Sequence, residues 1–343
     1  MPSERRTTAI PLPVGKLRAE LLGRLVALCR HDPRVLIRPG IGRDAAAVVF
    51  GDHVVVAKTD PITFATDRIG WYAVNINAND VACLGATPRF FLAALLLPEG
   101  KTTDETVEAI FRDLAASCEA LDVTLCGGHT EVTYGLDRPI VVGQMLGEVA
   151  RDRLVRNDRS QAGDDVLLTK GIAIEGTALI AREKAEELRG VADEALLARA
   201  RGYLDAPGLS VVPDAVAVCR ATLPHALHDP TEGGLATGLH ELADAAGLGV
   251  EVEADAITIF PETQALCRHY GLDPLGLIAS GALLAVTAPA DTPAVLDALA
   301  ADGIPARRIG RMVERSEGLT LRRGRRREPL RRFDSDEVAR LFT

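Results

Sequence analysis

The sequence predicts an α+β fold divided between two domains. Three observations carry that expectation. The 343 residues exceed what one core of ordinary size organises. A hairpin pattern in the first half, with strand and helix patterns interleaved in both halves, argues against a doubly wound parallel sheet. A charged and polar string over residues 150–162 separates the halves, so domains are expected over residues 1–155 and 163–343.

The elements follow in order. Leu17, Leu21, Leu25 and Leu28 mark one face of a helix over residues 17–30. A Gly-rich loop at 39–44 leads to strands at 45–50 and 53–59, joined by a Gly51-Asp52 hairpin turn. A helix is expected over 68–84 and a fully buried strand over the apolar run 90–97. Thr102 and Glu105 have the spacing of a capping box for a helix over 103–121. A short strand at 123–126 runs into a loop, Gly127-Gly128-His129-Thr130, before a strand at 139–149. In the second half, strands are expected at 165–169, 249–254, 282–287 and 319–321. Helices are expected at 175–188, 192–203, 210–220, 261–270 and 292–301, with another ending near 246.

Composition narrows the class. Hydrophobic residues make up 47% and charged residues 25%, as in soluble globular proteins. A net charge of −9 argues against a broad nucleic-acid surface. The arginines at 322, 323 and 325–327 read as a solvated strand edge or loop before they read as an anion patch. No apolar run is long enough to cross a bilayer, and the polar N-terminus lacks the apolar segment of a signal peptide. Six cysteines without a C-x-x-C pair imply neither a zinc site nor a disulfide framework. Cys29, Cys118, Cys219 and Cys267 are expected as small buried hydrophobes on helices. A cytoplasmic protein with no membrane and no nucleic-acid partner is the expectation.

Polar constellations lie at several element ends. In Gly40-Ile41-Gly42-Arg43-Asp44, glycines let backbone N–H groups approach a phosphate, and the carboxylate beside them suits Mg²⁺; a plain Asx turn is the simpler reading. Lys58-Thr59-Asp60-Pro61 closes a buried strand, as a site mouth or only as an Asp-Pro turn. Asn75, Asn77, Asn79 and Asp80 crowd poor helix formers into one helix, which favours a polar ligand face over back-bonding or solvent exposure. Gly127-Gly128-His129-Thr130-Glu131 can line a nucleotide, although a lone histidine is more often structural. Asp229-Pro230-Thr231-Glu232-Gly233-Gly234 opens a helix, where phosphate is favoured, and Asp229 also suits a simple cap.

Taken in order, these pieces resemble the PurM-like superfamily of ATP-using enzymes. That group includes aminoimidazole ribonucleotide (AIR) synthetase, selenophosphate synthetase, thiamine-monophosphate kinase and the hydrogenase maturation factor HypE. The matching strings are Gly42-Arg43-Asp44-Ala45-Ala46, Thr59-Asp60, Asn79-Asp80-Val81-Ala82-Cys83-Leu84-Gly85-Ala86-Thr87-Pro88, Gly127-Gly128-His129-Thr130-Glu131, Asp229-Pro230-Thr231-Glu232-Gly233-Gly234-Leu235 and Gly271-Leu272-Asp273-Pro274-Leu275. The last two look nearest to HypE and AIR synthase-related proteins.

The resemblance implies a PurM-like two-domain fold. Its N-terminal α/β domain would form a homodimer with a shared β-barrel, and its C-terminal domain would be α+β. It implies that Asp44, Asp60, Asp80 and Asp229 bind Mg²⁺. Gly42, Asp44, Lys58, Thr59, Asp60, Asn79, Asp80, Gly127, Gly128, His129, Thr130, Thr231 and Gly233 would contact ATP. The implied chemistry is activation of an amide-type or similarly weak nucleophile by ATP. Two departures from HypE point to a different acceptor, Glu131 replacing a lysine and Ser280 a glutamate; Glu232, in place of an arginine, weakens the phosphate charge balance. No cysteine follows Cys267, so carbamoyl-thiol dehydration is not expected. The acceptor and its catalytic residues stay unassigned, and a nucleotide-binding scaffold or sensor in a maturation complex is the alternative reading.

Overall fold

A computed structural model describes residues 17, 19–30, 32–38, 40, 45–63, 67–190 and 193–342. Its first half builds one sheet from β1 (Val35–Ile37), β2 (Ala46–Phe50), β3 (His53–Ile62), β4 (Thr87–Pro98), β5 (Thr124–Thr133) and β6 (Ile140–Ala150). The order is β1-β2-β3-β6-β4-β5. Only β4 and β5 run parallel. Helix α1 (Ala19–Val26) precedes the sheet; α2 (Ile69–Cys83) packs on β3, β4 and β6, and α3 (Asp104–Ala120) on α2 and β5.

The second half contributes β7 (Asp165–Thr169), β8 (Ala226–His228), β9 (Gly249–Glu253), β10 (Leu284–Thr287), β11 (Ala306–Val313), β12 (Leu319–Arg323) and β13 (Arg326–Pro329). Their order is β13-β12-β9-β11-β7-β10-β8. Helices α4 (Ile174–Glu183), α5 (Ala185–Leu188), α6 (Glu194–Arg201), α7 (Val212–Ala221), α8 (Gly234–Ala246), α9 (Pro261–Tyr270) and α10 (Thr292–Ala301) surround it.

Each half has its own apolar core, and α2 belongs to both. Its Val74, Ala78 and Val81 enter the first core, while Ala82 and Cys83 join Val211, Ala215, Val218 and Leu283 of the second half. Tyr72 packs with Ile174, Tyr203, Leu204 and Leu209. Thirteen of the fifteen α2 residues are buried, so its polar side chains are enclosed by protein. That burial decides their role, because an enclosed amide needs a hydrogen-bond partner.

Several local expectations are corrected. Residues 127–130 are not a loop: they continue β5, with Gly128 opposite Ala93. A Cβ on Gly128 would lie 1.9 Å from the Ala93 carbonyl oxygen, so close strand pairing requires glycine there. The apolar run of β4 is not buried on both faces. Phe91, Ala93, Leu95 and Leu97 face the core, whereas Leu92, Ala94 and Leu96 are half-buried on the other face. Helix α1 is shorter than its leucine pattern, and Leu28, beyond its end, is 82% exposed. Thr103, not Thr102, caps α3 by accepting from the Thr106 N–H, while the Thr102 hydroxyl donates to the Pro98 carbonyl. Cys118 and Cys267 are buried as expected, but Cys29 is exposed and Cys219 half-buried.

Strands β8, β11 and β13 carry no alternating pattern in sequence; they form because neighbouring strands satisfy their backbones. The arginine-rich stretch is the β12–β13 hairpin. There Arg322 pairs with Glu253 at 2.8 Å, Arg326 with Glu328 at 3.1 Å and Arg327 with Glu251 at 3.6 Å.

Candidate functional site

The site begins where β3 passes under α2. Strand alternation turns Lys58 and Asp60 toward the helix and leaves Thr59 exposed on the opposite side. The Lys58 ammonium lies 2.8 Å from Asp80 Oδ2 and 3.2 Å from Asp60 Oδ2. Two carboxylates therefore converge on one cationic centre, and both Lys58 and Asp80 are largely shielded from water. In such a setting the attraction is far stronger than on an open surface.

Asparagines hold this arrangement from behind. Asn77 Oδ1 accepts the Asp60 N–H at 2.9 Å, and its Nδ2 donates to the Ala73 carbonyl at 2.8 Å. Asn79, 0% exposed, reaches into the other domain: Nδ2 donates to the Leu209 carbonyl at 3.0 Å and Oδ1 accepts the Val211 N–H at 2.8 Å. Asn75 Nδ2 donates to the Trp71 carbonyl. The expected polar ligand face is corrected accordingly. These amides answer backbone groups that burial would otherwise strand, and they place Asp60 and Asp80.

One turn beyond Asp80, the Cys83 thiol donates to Asp229 Oδ1 at 3.4 Å, joining α2 to the turn between β8 and α8. Asp229 is buried. Thr231 and Gly233 follow in that turn, and the Thr231 carbonyl accepts from the Gly234 and Ala279 N–H groups. The Gly233 N–H donates to Asp336 Oδ2 at 2.7 Å, so the helix entrance already holds an anion from the chain's own C-terminal segment.

Burial, helped by the Glu232 charge, pushes the Asp336 carboxyl up to about 6 against the opposing hydrogen bonds from Val338, Gly233 and Ile278. A carboxyl raised on folding favours the protonated fold. Its stabilising contribution is present below an unfolded value of about 4 and is lost as pH rises through 6. Asp336→Asn is therefore expected to flatten that loss. Urea unfolding at pH 4.5 and 7 should show a steeper decline for wild type than for the variant, and equal declines would reject the assignment.

Gly42 and Asp44 lie outside the described residues. Gly127, Gly128, His129 and Thr130 are exposed along β5, where His129 Nε2 meets Glu131 Oε2 at 3.2 Å. Among the described residues, no three His, Cys, Asp or Glu converge closely enough to hold a metal on protein ligands alone. Among the described residues, Asp60, Asp80 and Asp229 form no such three-ligand group, and Asp44 lies outside them. Two hard carboxylates sharing a cation nevertheless fit Mg²⁺, which prefers oxygen ligands, and Asp60 and Asp80 would hold it.

Sequence reasoning missed three groups around the same junction. Lys170, at the end of β7, sits 3.2 Å from Asp214 and donates to the Ser210 carbonyl at 2.7 Å; burial lowers its pKa, and Asp214 works against that. Like Lys58, Lys170 is a charge closing a buried strand, which is a local signal in the sequence. Glu175 opens α4, and Asp336 closes over α8. Nothing local in the sequence distinguishes either from an ordinary surface acid.

Residues 42–149 match the N-terminal domain of AIR synthase related proteins, and residues 161–322 match the C-terminal domain. The chain belongs to the AIR synthase related family. Within it, the carbamoyl dehydratase HypE of Cupriavidus necator is 31% identical over 88% of this chain and 84% of its own length. A crystal structure of the hydrogenase maturation protein HypE in complex with ATP superposes with a TM-score of 0.70. It is 23% identical and covers 92% of this chain and 91% of its own. HypE from a HypE–HypF complex superposes with a TM-score of 0.71 at 21% identity, covering 84% and 93%. These likenesses establish the PurM-like, HypE-like fold of this AIR synthase related protein.

Proposed function

We propose that this AIR synthase related protein is an ATP-using, Mg²⁺-dependent enzyme of the HypE-like type, activating an amide-type or similarly weak nucleophile. One observation carries the reading: Asp60 and Asp80 share a cation, Lys58, where β3 passes under the helix that joins both domains. Mg²⁺ bound by that pair would neutralise phosphate oxygens and align the γ-phosphoryl group. Lys58 would then lend its charge to the phosphates, and Asn77 and Asn79 would keep the carboxylates in place without moving. Catalysis by such a site is positioning and charge neutralisation. The relative solved with ATP supports this assignment.

A second copy of the chain is the proposed partner. The outer sheet face, with Phe90 49% exposed and Leu92, Ala94 and Leu96 half-buried, is the apolar surface such a copy would cover. No helix among the described residues is long and apolar enough to cross a membrane. The sequence departures at Glu131 and Ser280 favour an acceptor other than that of HypE.

Titration calorimetry tests the nucleotide half. ATP with Mg²⁺ is expected to bind saturably, and chelating the metal is expected to weaken binding by ~10-fold or more, about 1.4 kcal/mol. Absence of saturable heat with Mg²⁺ would sink the proposal.

A further inference from the structure

Three successive helices of the second half each end on an arginine. Arg182 lies in the last turn of α4, Arg189 directly follows α5, and Arg201 closes α6. A cation suits a helix C-terminus, and Arg201 Nε answers that end of α4 by donating to the Ala181 carbonyl at 3.2 Å. Capping does not account for the rest. All three arginines line one cavity of about 420 Å³, together with Ala185 and Glu194. A space of that size accommodates a small molecule.

The donors of these arginines are only partly used. Arg182 Nη1 bonds Asp67 Oδ2, while its enclosed Nε has no partner among the described residues. Arg189 Nη2 bonds Glu186 Oε1. Arg201 Nη1 and Nη2 both donate to Glu194 Oε1, at 3.1 and 3.0 Å. A guanidinium group carries five N–H donors, so each arginine keeps some to spare. The three partner acids, Asp67, Glu186 and Glu194, are all exposed. Ion pairs so open to water are weak, and they yield to an anion that binds the fork better.

Charge then selects the ligand. Of the three acids only Glu194 lines the cavity, against three guanidinium groups. A doubly charged anion balances that lining. A phosphate monoester is one, and its oxygens match the planar guanidinium fork in pairs. Glu194 Oε2 makes no bond to Arg201 and is left to accept from a hydroxyl. We propose that the cavity between α4, α5 and α6 is a second small-molecule site, taking a hydroxyl-bearing phosphate monoester of the size of a phosphorylated sugar. Lys58, Asp60 and Asp80 do not line it, so the site stands whether or not the nucleotide reading holds. Arg182 connects it to the first half of the chain, because its partner Asp67 stands two residues before α2.

Calorimetric titration of the full chain with glucose 6-phosphate, in EDTA and without nucleotide, tests this. Wild type is expected to bind saturably. Arg201→Gln is expected to weaken binding at least ~10-fold and Arg189→Gln ~3-fold or more, since each removes charged donors. Arg189 is 73% exposed, so its variant keeps the fold and the comparison holds even if Arg201→Gln does not fold. Glucose, which lacks the phosphate, is expected to give no saturable heat. Orthophosphate, which lacks the sugar hydroxyls, is expected to bind ~3-fold or more weakly than the ester. Folded Asp80→Asn is expected to match wild type. Absence of saturable binding in wild type, or unchanged affinity in Arg189→Gln and in any folded Arg201→Gln, overturns the proposal. So does orthophosphate binding as tightly as the ester. Loss of binding in folded Asp80→Asn would place the ligand in the nucleotide site and overturn it as well.

Discussion

Asp80→Asn is expected to weaken Mg²⁺-ATP binding at least ~100-fold, close to 3 kcal/mol. Asp80 is one of two carboxylates around a shared cation, and it is the more enclosed of the two. Without its charge, a divalent ion there keeps only Asp60 from this pair. The amide also removes one buried counter-charge from Lys58 while Asp60 remains, so a stability loss approaching ~3 kcal/mol is expected, the low end for a broken buried pair. Calorimetric titration at a temperature where urea curves show the variant folded separates the two effects. Lys58→Met provides the converse. It leaves Asp60 and Asp80 facing one another, and Mg²⁺ alone should raise its unfolding midpoint more than that of wild type. Near-wild-type ATP affinity in Asp80→Asn would remove the aspartate pair from the nucleotide site.

The second large effect concerns Asn79. Asn79→Ala removes both hydrogen bonds between α2 and residues 209–211 and strands a buried N–H and a buried carbonyl. At ~1–3 kcal/mol for each unsatisfied group, a loss of about 2–5 kcal/mol is expected. Because these bonds cross between the two cores, the transition should also broaden or split as the halves lose coupling. A change below ~1 kcal/mol with one sharp transition would show that apolar packing of α2 suffices without the amide.

These two residues show how far local sequence information reaches. They are neighbours in one motif, and local sequence assigns both to one ligand face. The structure separates their roles: Asp80 meets Lys58, while Asn79 points to Leu209 and Val211. The motif was legible because a run of poor helix formers in an otherwise apolar helix is a local anomaly. The direction of each side chain was not, because it depends on which backbone arrives from the other domain. Gly127 and Gly128 were misread for a related reason. Glycines after a short strand look like a loop, yet here the parallel partner β4 comes so near that only glycine fits opposite Ala93.

What the sequence by itself determined was local. The α+β class, the Gly51-Asp52 hairpin, helices over Pro261–Tyr270 and Thr292–Ala301, and the places where polar residues interrupt apolar runs all follow from periodicity and turn chemistry within a few residues. Only the tertiary structure decided which of those polar residues meet. Asn79 and Val211 are 132 residues apart in the chain, and Cys83 and Asp229 are 146 apart. It also placed Asp336 over the α8 entrance. The physical reason is that burial and pairing set the meaning of a polar side chain, and both are properties of the packed junction around α2.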